Sequence, residues 1–72
     1  MPSFNANIAP LTGRESEILA EFSNGLTSKQ VSGKLGIKFD TVETYRKSIL
    51  RKLGATNTTM AVANALRWRM MI

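Results

Sequence analysis

Thr44, Lys47 and Arg51 recur three and four residues apart in the segment TVETYRKSILRK, and side chains at that spacing share one face of a helix. A hydroxyl followed by two long cations suits hydrogen bonding to phosphate oxygens or to base edges in a nucleic-acid groove. It does not suit bond making. The chain has no His and no Cys, and its five carboxylates are Glu15, Glu17, Glu21, Asp40 and Glu43. Thiolate nucleophiles, His-based proton transfer and Cys/His zinc sites are therefore excluded, and a Ser or Lys nucleophile would need a pocket and a base that so short a chain has little room for. No enzymatic activity, metal or cofactor is expected.

The elements that would position this face lie in residues 28 to 45. Val31, Leu35, Ile37, Val42 and Tyr45 fall where two short helices must bury side chains, and Ser32 is small where the helices cross. Gly36 stands where the chain must reverse, because a glycine just past a helix end takes positive φ without a Cβ penalty. An ordinary αα-hairpin uses the same pattern, so the spacing alone leaves both readings open. With Val42, Tyr45, Ile49 and Leu53 turned inward, Glu43, Thr44, Lys47 and Ser48 become the base-facing set. Lys47 would reach guanine O6 or N7, and Thr44 a thymine methyl or a phosphate. Thr27, Ser28, Lys29 and Thr41 gather at helix starts, where free amides favour anions; with Arg51 and Lys52 they form the expected phosphate set. Glu43 is an awkward member of that face. Asp40 as N-cap with Glu43 three residues on makes a capping box, a simpler role than accepting from cytosine N4.

Residues 1 to 10 have no periodicity and are expected to form a flexible arm. Thr12 and Glu15 form a capping box for a first helix ending near Ser23, with Ile18, Leu19 and Phe22 on one face, Glu17 and Glu21 pointing outward, and Asn24-Gly25 as the stop. Thr27 or Ser28 caps the second helix. The third runs from about Asp40 to Leu53 and ends at Gly54. Asn57 or Thr58 starts a fourth, whose face of Ala61, Val62, Ala65 and Leu66 permits close helix packing. Trp68 reads equally as a partner contact or a lid on the core. Val62, Leu66 and Met70 are the expected dimer contacts. The fold class is all-α, a compact four-helix bundle over residues 11 to 72 that contains a helix-turn-helix.

The charge of +5 is unevenly placed: residues 1 to 26 are net −2, while residues 27 to 72 are net +7. A basic surplus over the bihelical unit attracts phosphate in a salt-dependent way, although an evenly spread surplus would only aid solubility. A chain of 72 residues buries only about 60% of its unfolded surface. Without disulfides, packing and dimerisation must supply the stability. No basic leader with an apolar run and no membrane-length segment is present, and a cytoplasmic location is expected.

Taken together, LTGRESEIL at residues 11 to 19, NGLTSKQVSGKLGI at 24 to 37, TVETYRKSILRKLGA at 41 to 55, and Ala61, Val62 and Ala65 resemble the LuxR-type, or GerE-like, helix-turn-helix domain of bacterial transcription regulators. The resemblance implies a four-helix unit that binds inverted-repeat double-stranded DNA as a homodimer through its fourth helix, with the third in the major groove. By position it places Lys29, Thr41 and Lys52 at backbone contacts and Glu43, Thr44 and Lys47 at base-facing sites. Lys38, Glu43, Tyr45 and Thr58 depart from the family's usual residues, which bears on operator and affinity rather than fold. RNA polymerase or another regulator is a further expected partner. Two arrangements stay open, a small stand-alone regulator or the C-terminal domain of a longer one. A second function class also stays open: an interaction module that pairs with another regulator and modulates it.

Overall fold

The computed structural model describes the backbone of residues 11 to 70 and the side chains of residues 11 to 68; the expected arm and the Met70 side chain lie outside that range. Four helices follow in order: α1 Gly13–Ser23, α2 Ser28–Leu35, α3 Phe39–Lys52 and α4 Thr58–Met70. Helix α3 packs against all three others, so the core can fix its orientation.

Local chemistry explains the boundaries. Thr12 takes an extended conformation, its hydroxyl accepts from the Glu15 amide, and the Glu15 carboxylate accepts from the Thr12 amide, a complete capping box. Thr27 and Gln30 make a second box at the start of α2, which settles the choice between Thr27 and Ser28. Gly36 then adopts φ 68°, ψ 33°. The Ser32 carbonyl accepts from the Gly36 and Ile37 amides, and the Ser32 hydroxyl donates to the Ile37 carbonyl at 2.6 Å. Ser32 is thus more than a small residue at a crossing: it ties both ends of the turn together.

At the start of α3 the expected capping box does not form. The helix begins at Phe39, the N-cap is Lys38, and no side chain caps it. Asp40 is therefore the second residue of the helix rather than its cap, and the Glu43 carboxylate is engaged elsewhere, by Arg46 at 3.2 Å. At the far end Gly54 takes φ 60°. Asn57 Oδ1 then accepts from the Met60 amide at 2.8 Å and caps α4.

Ile18, Leu19 and Phe22 of α1, Val31 of α2, Val42 and Ile49 of α3, Leu53, and Ala61 of α4 form the buried core. Tyr45, Val62, Ala65 and Trp68 pack against it while half-buried. Trp68 therefore serves as a lid, the second of its two expected roles. The expected apolar face of α4 is corrected at two places. Leu66 is 56% exposed, and Asn64, which lies on the inward side, is buried and donates to the Leu53 carbonyl at 2.8 Å. That bond satisfies a carbonyl at the end of α3 and joins α4 to it.

Candidate nucleic-acid interface

The outward face of α3 is set by the core on its opposite side. Val42 and Ile49 are fully buried, and a residue 100° further round at each step brings Asp40, Thr44, Lys47 and Arg51 to the opposite stripe. All four are exposed. The Thr44 hydroxyl donates to the Asp40 carbonyl at 3.1 Å, a bond that fixes its rotamer within the stripe.

Two clamps flank the stripe and narrow it. On the side toward α2, the Glu43 carboxylate accepts from Arg46, and both side chains are largely covered, at 26% and 31% exposure. The Ser28 hydroxyl, opposed by burial and aided by Arg46, holds the Glu43 carboxyl below its ordinary range. On the side toward α1, Glu15 is buried and receives three donors: the Ser48 hydroxyl at 2.7 Å, the Lys52 ammonium at 2.7 Å and the Thr12 amide at 2.9 Å. Burial pushes the Glu15 carboxyl up, yet Lys52, Ser48 and Thr12 together outweigh it and bring it down from 4.5 to about 2. Glu15 is therefore charged at neutral pH.

The expected contact residues divide accordingly. Thr44 and Lys47 of the base-facing set lie on the open stripe, whereas Glu43 and Ser48 are held by the flanking clamps. Of the phosphate set, Thr27, Lys29, Thr41 and Arg51 are exposed and Ser28 is half-buried beside Glu43. Lys52 is turned inward, with its side chain 16% exposed against Glu15. The Thr27 hydroxyl accepts from the Gln30 amide and retains its own proton to donate. The inward turn of Lys52 was hidden from sequence reasoning, because its partner is 37 residues away.

Internal pairing also concentrates the positive charge. Arg14, Lys34, Arg46 and Lys52 each pair with an acid. Lys29, Lys38, Lys47 and Arg51 are exposed and form no ion pair among the described residues, and these four lie on α2, α3 or the turn between them; Arg67 of α4 is likewise exposed without an ion pair and donates to Asn64 Oδ1. Four cations with no internal counter-charge, carried by one bihelical unit, give a surface with a strong attraction for polyanions.

Comparison with known proteins identifies the unit. The family described as bacterial regulatory proteins, luxR family (GerE), matches residues 9–65. The chain belongs to that family. Among relatives of this luxR-family chain are the "Probable transcriptional regulatory protein SgaR" of Hyphomicrobium methylovorum, 45% identical over 74% of this chain and 25% of its own length. The transcriptional regulatory protein MctR of Rhizobium johnstonii is 42% identical over 79% of this chain and 27% of its own length. The luxR-family chain thus spans about a quarter of these relatives. In three dimensions it is similar to the response regulator ChrA of a heme-sensing two component system, with a TM-score of 0.82 and 39% identity over 86% of this chain and 31% of that one. The helix-turn-helix of this luxR-family unit is α2, the Gly36 turn and α3.

Proposed function

We propose that this chain is the DNA-binding unit of a bacterial transcription regulator and that it reads double-stranded DNA by laying α3 in the major groove. The observation that carries the reading is the exposed stripe of Asp40, Thr44, Lys47 and Arg51, set directly opposite the buried Val42 and Ile49. A helix with one face anchored in a core and the other open has the shape the major groove admits. Lys47 would donate to guanine O6 or N7. Thr44, whose hydroxyl is tied to the backbone, would offer its methyl to a thymine methyl. Arg51, Lys29, Thr27 and Thr41 would contact phosphates and set the register. Glu43, Ser48 and Lys52 act within the fold by holding α3 in place, and Ser28 aids them.

Helix α4 is the proposed dimer contact. Leu66 and Met60 are exposed large apolar residues on it, and Val62, Ala65 and Leu66 continue into an apolar groove shared with Leu11, Leu19 and Ala20 of the α1 side. Two copies joined there would leave both α3 helices open and would read an inverted repeat. The alternative of an interaction module without DNA readout drew its support from Glu43 as an acid on the DNA face. Glu43 is paired to Arg46 at the flank, so the acid that stands on the open stripe is Asp40.

Selection of bound duplexes from a random pool at moderate salt tests the proposal. Enrichment of a palindromic motif is the expected result. Retention of duplexes without any motif would refute sequence-specific recognition.

A further inference from the structure

Five carboxylates occur in the chain, and four of them close internal ion pairs: Glu17 with Arg14, Glu21 with Lys34, Glu43 with Arg46 and Glu15 with Lys52. Asp40 is the fifth. It is exposed, and its carboxylate has neither an ion pair nor a hydrogen bond among the described residues. Because α3 begins at Phe39 with no side-chain cap, the carboxylate is not consumed as a capping group either. Its place in the first turn, one turn before Thr44 and two before Lys47, puts it at the leading end of the open stripe. The N-terminal residues of a recognition helix are the ones that meet base edges.

We infer that Asp40 is a specificity-determining residue that accepts a hydrogen bond from the N4 amine of cytosine at one position in each half-site, an inference that rests on the DNA-binding reading above. The major-groove chemistry selects that base. A carboxylate can only accept, and cytosine presents a donor there. Guanine presents two acceptors, thymine an acceptor and a methyl, and adenine an acceptor beside its donor. A negative charge near phosphates weakens binding to every duplex, and only the site with the matching donor recovers the loss. Asp40 therefore acts mainly by rejecting wrong sequences. Lys29, Lys38, Lys47 and Arg51 supply the general attraction against which that rejection works.

Random-pool selection with the wild-type chain, Asp40→Ala and Asp40→Asn tests this, with circular dichroism verifying that each is folded at the binding temperature. The wild type is expected to enrich a C·G pair at one position per half-site. Asp40→Ala should lose the preference at that position alone while binding non-specific duplex several-fold more tightly. Asp40→Asn, isosteric and able to pair with adenine N6 and N7, should move the preference toward adenine. An unchanged motif in both folded variants, or a loss spread evenly over all positions, overturns the role of Asp40 and leaves DNA recognition standing. No enrichment by the wild type would instead remove the DNA reading on which it rests.

Discussion

Lys47 and Lys29 carry the same charge, and their surroundings assign them different work. Lys47 lies between Thr44 and Arg51 on the open stripe of α3, the face proposed to meet base edges; Lys29 is in the first turn of α2, beside the Thr27 cap, and is proposed to meet the sugar-phosphate backbone. Lys47→Ala is expected to cost about 1 to 3 kcal/mol on the preferred site and to relax selectivity at the base it contacts. Lys29→Ala should weaken all duplexes alike and reduce the slope of log K against log salt by about one phosphate contact. Titrations of both variants on matched and scrambled duplexes over a salt series check the division. Equal losses on every sequence from both would contradict it. At this scale the sequence was only partly legible. The period of 3.6 residues located Thr44 and Lys47 on the exposed face, but it left Glu43 and Ser48 there too, since the clamps formed by Arg46 and Glu15 depend on which neighbouring helix lies to each side.

Between elements, Glu15 is the principal polar tie from α1 to α3. It caps its own helix through Thr12 and binds Ser48 and Lys52 on the last two turns of α3, so one carboxylate couples the start of α1 to the pitch of α3. Its pKa in the folded chain, about 2 against 4.5, makes its contribution pH-dependent in a defined direction. A depressed carboxyl stabilises fully above its unfolded value and loses that contribution as pH falls through the folded value, here from about 4.5 to about 2. The linkage amounts to about 3 kcal/mol at neutral pH. Glu15→Gln is thus expected to be less stable by roughly that amount at pH 7, because the Lys52 ammonium then faces a neutral amide, and to show a flatter stability profile between pH 5 and 2. Urea unfolding across that range decides the matter, and parallel profiles for the two proteins would disprove the tie. The caps at Thr12 and Thr27 and the reversal at Gly36 could be read from adjacent residues, as could the core positions Ile18, Phe22, Val31, Val42 and Ile49. The Glu15–Lys52 pair and the Asn64 bond to Leu53 could not, because they join residues 37 and 11 positions apart and exist only once the helices are packed.

On the scale of the whole molecule, pairing sorts the surface into two kinds. Four of the exposed cations without an ion pair among the described residues, Lys29, Lys38, Lys47 and Arg51, lie on α2, α3 and their turn, whereas the α1 and α4 side carries Arg67 beside an apolar groove lined by Leu11, Leu19, Val62, Ala65 and Leu66. In the proposed dimer a contact through that groove would hide apolar surface without covering the α3 stripe, and twofold symmetry would then present two stripes to successive major grooves, about 34 Å apart. For so small a domain such burial also adds stability that a single core supplies sparingly. Leu66, at 56% exposure, is the residue on which this arrangement turns, since a charge there costs the isolated fold little and the interface much. Leu66→Glu is expected to keep the helical spectrum, to sediment as a monomer at concentrations where the wild type is dimeric, and to bind an isolated half-site as the wild type does while losing the added affinity for the inverted repeat. A folded Leu66→Glu protein of unchanged mass would exclude α4 as the contact, and unchanged affinity for the repeat would show that the two recognition helices reach their half-sites without it.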